Sequence, residues 1–208
     1  MYEGGWSHGR PHGWGKMVFS PGVIYDGNWT YGVADGRGRM EYGNGSFYAG
    51  TWVKGRYQEG DLRFESGNIY SGPFQAEGKM HGQGRMVYSD GAYYTGMFVD
   101  GAMEGVGEMV FAAQGVRYRG EWAQGTQEGR GAVTHKDGKL VFGVWKAGEL
   151  VEALPADEVM WTPNAGWVAK SLSVVERGED DGEGRDGKGP SHWRDHIESW
   201  RRSRAYRR

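Results

Sequence analysis

The sequence predicts an all-β repeat protein: one elongated, twisted antiparallel sheet of stacked β-hairpins, followed by a short helical or irregular C-terminal extension. Three observations predict it. Glycine supplies 39 of 208 residues, more than twice average usage, which disfavours ordinary globular packing. An aromatic-x-Gly-x-aromatic pattern returns at near-constant spacing, and a turn signal precedes each return.

The pattern reads Tyr2-x-Gly4-x-Trp6, Tyr25-x-Gly27-x-Trp29, Tyr48-x-Gly50-x-Trp52, Tyr70-x-Gly72-x-Phe74, Tyr94-x-Gly96-x-Phe98 and Tyr118-x-Gly120-x-Trp122, with a weaker seventh copy, Val141-x-Gly143-x-Trp145. Successive copies lie 22 to 24 residues apart. A glycine follows three residues after the second aromatic in six copies and four after it in the fourth, at Gly78. Each unit has a second half such as Gly13-Trp14-Gly15-Lys16-Met17-Val18-Phe19, whereas the third unit departs with Gln58-Glu59-Gly60-Asp61-Leu62. Then comes a turn signal, for example Pro21-Gly22, Asp90-Gly91 or Asp137-Gly138, residues that accept the backbone of tight hairpin connections.

Both halves have the period of two that marks strands, so Tyr2, Gly4 and Trp6 share one face and Gly13, Gly15, Met17 and Phe19 share one face of the next strand. Stacking the units gives about 13–14 strands and a sheet of roughly 60–65 Å at ~4.8 Å per strand. Tyrosines of successive units stand two strands apart, about 10 Å, too far to touch. The Gly, Met and Phe of the intervening strand must lie between them. Glycine leaves room for a ring to lie over the backbone, so one layer can bury apolar area. Recurrence in every unit makes the aromatics packing elements before anything else.

These residues resemble the MORN (membrane occupation and recognition nexus) repeat, whose consensus is Y-x-G-x-W, then G, then H-G-x-G. His12-Gly13-Trp14-Gly15 and His81-Gly82-Gln83-Gly84 match the last element outright, while Asp35, Glu104 and Glu128 replace His elsewhere. The resemblance covers residues 2–148. It implies an elongated twisted sheet and non-catalytic scaffolding. It also implies the settings in which such repeats occur: ciliary radial spokes, parasite cytoskeletons, membrane junctions, and lipid kinases or a methyltransferase to which they are appended.

The sequence divides into an array over residues 1–150, a capping segment over 151–177, an acidic Gly-rich linker over 178–190 and a basic amphipathic tail over 191–208. The capping segment carries Trp161, Trp167, Val168, Leu172, Val174 and Val175 without hairpin spacing. Asn164 to Arg177 suit a helix with Val168, Leu172 and Val175 on one side, although Gly166 weakens it. The linker has no apolar side chain and cannot offset its ordering entropy. In the tail, Trp193, Ile197 and Trp200 fall on one helical face beside Arg201, Arg202 and Arg204. These six are the candidate partner-binding residues, because so short a helix needs a surface to fold on.

Charge follows the same division. Residues 1–150 carry 15 basic and 16 acidic side chains, residues 151–190 carry 4 and 9, and residues 191–208 carry 6 and 2. Absence of Cys excludes disulfides and Cys-based zinc or redox sites and suits a reducing compartment. No apolar run approaches the ~18 residues of a membrane span, and no leader is legible at the amino terminus, so a soluble chain is expected.

No catalytic constellation is readable. Gly36-x-Gly38 and Gly105-x-Gly107 lead into strands, without the helix and third glycine of a phosphate loop. His192 and His196 lack a third metal ligand. Asp180, Asp181, Glu183 and Asp186 lack the closing Glu of a calcium loop. The expectation is therefore no cofactor, no metal and no enzyme activity, but a scaffold that holds other protein subunits in a cytoskeletal assembly. The axonemal radial spoke head of a cilium or flagellum, a setting the resemblance implies, is the most specific version, with a cytoplasmic, cytoskeletal location. The alternatives are a membrane-junction adaptor, whose tail meets anionic lipid, and a regulatory module for a partner enzyme. Nucleic acid is not an expected partner, since the basic tip lacks interleaved stacking residues.

Overall fold

The computed structural model describes residues 1–155, 159–162 and 166–169. Fourteen strands form one antiparallel sheet in strict sequence order. They are β1 (Tyr2–Ser7), β2 (Arg10–Ser20), β3 (Val23–Thr30), β4 (Val33–Tyr42), β5 (Phe47–Val53), β6 (Arg56–Arg63) and β7 (Ile69–Pro73), then β8 (Gly82–Val87), β9 (Tyr93–Val99), β10 (Ala102–Phe111), β11 (Val116–Ala123), β12 (Thr126–Thr134), β13 (Leu140–Lys146) and β14 (Glu149–Leu154). A separate hairpin pairs β15 (Val159–Thr162) with β16 (Gly166–Ala169). The expected all-β array of stacked hairpins is what the chain forms, and no helix occurs among the described residues.

In every unit but the fourth, where Gly78 alone has positive φ, at 77°, the hairpin is closed by two residues with positive φ, such as Tyr31 at 48° and Gly32 at 89°. That conformation matches the right-handed twist of the flanking strands. The turn also ties units together: the Gly32 amide donates to the Pro11 carbonyl of the preceding unit at 2.8 Å, and Gly55 donates likewise to Ala34 at 2.8 Å. The two glycines of the G-x-G element have different tasks. Gly13 is left-handed, with φ 73°, and lies in the bulged stretch where Gly4 pairs with Gly15 but Trp6 pairs with Pro11. Gly15 lies under the Tyr2 ring, whose atoms occupy the space a Cβ would need. The third unit puts Gln58 where the left-handed glycine would be and still forms its hairpin, with a shorter irregularity between Thr51 and Trp52.

The core is a continuous ladder of aromatic rings on one face. Each tyrosine contacts the Trp or Phe of its own unit and that of the next: Tyr25 meets Trp29 at 4.9 Å and Trp52 at 5.2 Å, both edge to face. Tyr70 meets Phe74 at 5.1 Å and Phe98 at 5.0 Å in the same way. The chain of contacts runs from Trp6 to Trp145. Between tyrosines of successive units lie Met17, Met40, Leu62, Met86 and Met109, as the alternation predicts. The alternation does not reveal that the following Trp or Phe reaches back across this strand to the tyrosine. The Trp29 and Trp52 indoles also donate to the carbonyls of Gly15 and Gly38, at 2.9 and 3.1 Å.

Tyrosine, rather than phenylalanine, begins each unit for a reason local to the strand. The hydroxyls of Tyr25, Tyr48, Tyr70 and Tyr118 donate to the carbonyl three residues on, those of Asn28, Thr51, Pro73 and Glu121, at 2.8 to 3.0 Å. These carbonyls sit where the ladder is irregular, and a buried one without a donor is costly. Tyr48 additionally donates to Glu59 O at 2.9 Å. Tyr48→Phe is therefore expected to destabilise the array by about 2 kcal/mol with the ring ladder intact, as read by urea denaturation.

The segment read as a helix from Asn164 to Arg177 is corrected where it is described. Gly166–Ala169 is a strand, registered so that Trp161 pairs with Trp167. Glycine at the start and the run Trp167-Val168 favour extended backbone over helix, and the apolar residues judged to lack hairpin spacing include this hairpin. The backbone of β16 lies against β11 and β12. On the face away from the ladder, Ala132 and Phe142 are buried beside Leu154 as a second, small core. The linker over 178–190 and the tail over 191–208 lie outside the described residues.

Candidate interaction surfaces

Every internal aromatic of the ladder is consumed by packing: Tyr25, Tyr48, Tyr70, Tyr94 and Tyr118 are each 0% exposed. Burial raises the pKa of all five phenols, that of Tyr48 to about 12 and the other four further, so they remain protonated donors to their carbonyls. All twelve residues that the repeat pattern singled out, from Tyr2 to Trp122, occupy this one layer. The ladder is thus a structural element over most of its length, with no free ring to read a ligand.

The opposite face is patterned in two rows across the strands. One row alternates charge at the start of the array, with Glu3 beside Lys16, Lys16 beside Asp26 and Asp26 beside Arg39. Farther along, Glu108 accepts from Arg117 and Arg119, each at 3.0 Å. The neighbouring row is apolar for much of its length, through Val18, Ile24, Phe47, Ile69, Val87 and Tyr93, all half-buried. Arginines bridge the rows: Arg39 lies 3.7 Å over the Phe47 ring and Arg85 lies 4.1 Å over the Tyr93 ring. Arg85 makes no ion pair among the described residues.

Turn tips hold the units in register. Where the repeat carries Glu in place of His, the carboxylate accepts from the next unit's turn: Glu104 from the Gln124 amide at 3.0 Å, Glu128 from the Ala147 amide at 2.9 Å. Where His stands, at His12, its ring lies 5.0 Å from Tyr31 of the next turn. Both solutions bind a turn to its neighbour, which explains why the position tolerates either type.

Exposed aromatics concentrate in the first units. Trp6 and Trp14 are each 60% exposed and Phe19 and Tyr31 are more than half or half exposed. Trp14 occupies a position that is polar in most other units, and no periodicity predicted it. No group of three or more His, Cys, Asp or Glu side chains able to hold a metal ion occurs among the described residues. The candidate partner-binding residues Trp193, Ile197, Trp200, Arg201, Arg202 and Arg204 lie outside the described residues.

The sequence pattern of the MORN repeat matches residues 2–23, 25–47, 76–93, 94–116 and 118–139, more than half of the chain. The chain belongs to the MORN-repeat family. No curated protein matches it significantly. The stretch between the second and third matches holds the unit that lacks the left-handed glycine, replaced by Gln58, yet it carries the same ladder through Tyr48, Trp52 and Phe74. MORN repeats are interaction modules for proteins or membrane lipids and are generally non-catalytic, and the MORN array here presents one packed face and one patterned face.

Proposed function

We propose that this MORN array is a non-catalytic scaffold subunit that holds other proteins against the face opposite the aromatic ladder, within a cytoskeletal assembly. The observation that carries this reading is the complete burial of the ladder tyrosines, which leaves the charge-alternating, apolar-striped face for partners. Such a mixed face suits a protein surface, in which salt bridges and apolar contacts alternate. An anionic bilayer would favour a run of one sign, and residues 1–150 are almost neutral. The axonemal radial spoke head, in a cilium or flagellum, is the assembly for which an elongated sheet wedged among other subunits is best suited, and family occurrence supports it. The second reading, a membrane adaptor, draws on the tail: Trp193 and Trp200 with six Arg against two acids match an interfacial basic helix.

Binding measurements on the full chain separate the two. Purified axonemal subunits and vesicles of phosphatidylserine with phosphatidylcholine are offered to the parent, to Arg39→Glu with Arg85→Glu, and to Trp193→Ala with Trp200→Ala. The scaffold reading expects binding to protein subunits and at least a tenfold loss in the arginine variant. Binding to vesicles alone, abolished in the tryptophan variant and weakened by salt, would replace it with the membrane reading.

A further inference from the structure

Among the described residues, β1 pairs on one side only, with β2. Met1 and Val18 exchange both backbone hydrogen bonds, at 2.8 Å each. Antiparallel pairs alternate in this respect, so Glu3 faces Lys16 through hydrogen bonds, whereas the N–H and C=O of Tyr2 and Gly4 point away from the sheet. The same edge ends the ring ladder. Trp29, Trp52, Phe74, Phe98 and Trp122 each touch two tyrosines and are at most 6% exposed. Among the described residues Trp6 has a ring contact with Tyr2 alone, and it is 60% exposed.

We infer that the partner of this edge is the β1 strand of a second copy of the chain, paired antiparallel about a two-fold axis through Gly4. The motif is self-complementary about its central residue. With Gly4 opposite Gly4 of the second copy, Tyr2 stands opposite Trp6 of that copy and Trp6 opposite its Tyr2. Each Trp6 gains the second tyrosine that every ladder Trp or Phe from Trp29 to Trp122 already has. Gly faces Gly, as at the internal junctions Gly15 with Gly27, Gly38 with Gly50, Gly84 with Gly96 and Gly107 with Gly120. The outward N–H and C=O of Gly4 meet their counterparts, and a two-fold axis perpendicular to the sheet keeps both ladders on one side.

The other edge does not offer the same fit. Ala153 of β14 stands where the return strands carry glycine, and the last unit has Val141 in the tyrosine position. A β1 strand laid against β14 would bring Trp6 toward Val141 in place of a tyrosine, so head-to-tail growth into filaments is disfavoured relative to a closed dimer. Six residues a side is less than a standard interface, and the dimer is expected to be weak, with Kd on the order of 10–100 µM.

Sedimentation equilibrium of the 208-residue chain between micromolar and millimolar concentration tests this. The expected result is a monomer–dimer equilibrium that Trp6→Glu weakens at least tenfold. Trp14→Glu, equally exposed but on the other face, should leave it unchanged. Both sites are exposed enough for the variants to fold, which circular dichroism verifies. The chain has no Cys, so a spin label on Glu3→Cys reports the geometry: its counterpart lies about 8 Å away across the two-fold axis, from strand rise and spacing, and dipolar broadening should appear with the dimer. A label on Val151→Cys of β14 should show none. A monomer at all concentrations, a dimer insensitive to Trp6→Glu, or broadening at position 151 instead of position 3 would each overturn the assignment.

Discussion

Replacing Gly50 with Val should destabilise the array by about 2–5 kcal/mol. A Cβ at this position would lie 2.7 Å from Gly60 Cα and collide with the Glu59 carbonyl and the Tyr48 hydroxyl. Two of these three obstacles are backbone of the adjoining strand, which a rotamer change cannot move. Overpacking of this kind costs about 1–3 kcal/mol or more, and displacing the Tyr48 hydroxyl leaves the Thr51 and Glu59 carbonyls without their donor, adding about 1–2 kcal/mol. Gly138→Val is the control: nothing lies within 4 Å of its Cβ, and only the positive φ of 84° opposes it. Urea denaturation should show the central variant losing much more stability than the turn variant. Equal losses would mean that the glycines serve the turns and that the rings do not depend on them.

A second large effect is expected at high pH. An unfolded tyrosine has its ordinary pKa near 10, while burial raises the phenols of Tyr25, Tyr48, Tyr70, Tyr94 and Tyr118 above it. The native state therefore holds protons that the unfolded chain releases. The stabilisation is complete below pH 10 and is lost as pH rises from there through about 12, the value for Tyr48, and beyond it for the rest. Above pH 10 each such phenol contributes a slope of about 1.4 kcal/mol per pH unit, so five together give about 7 kcal/mol per unit. Such a slope exhausts the stability of an ordinary domain within one to two pH units. Tyrosinate absorbance at 295 nm from the buried rings should rise together with loss of the β signal in circular dichroism. Ionisation of all the rings with the sheet intact would show that water reaches the ladder.

The repeat count, the hairpin unit and the side of the sheet on which the rings lie were legible because each is local. Period-two alternation decides which residues share a face, and a motif repeated every 22 to 24 residues leaves one way to stack antiparallel hairpins. The same logic placed Met17, Met40 and Met109 between tyrosines and glycine beneath the rings. The non-local contacts were not legible. Nothing in Tyr25-x-Gly27-x-Trp29 indicates that Trp52 will cross a whole strand to meet Tyr25, because that reach depends on the absent Cβ of Gly38 and on the twist of the sheet. Glu104 and Glu128 looked like exceptions to a His consensus; the structure makes them acceptors for the next turn, a contact about 20 residues away.

By itself, then, the sequence determined the strand period, the turn positions, the aromatic layer and family membership, all properties of one unit and its repetition. Only the tertiary structure decided which groups remain unsatisfied once the units stack. It made Gly166–Ala169 a strand through its pairing with Val159–Thr162, where a local helical pattern competed. It buried the internal tyrosines completely and left Trp6 exposed, although the motif around Trp6 is the same Y-x-G-x-W. The physical reason is that a ladder residue gains half of its contacts from the neighbouring unit, and among the described residues no strand lies beyond β1.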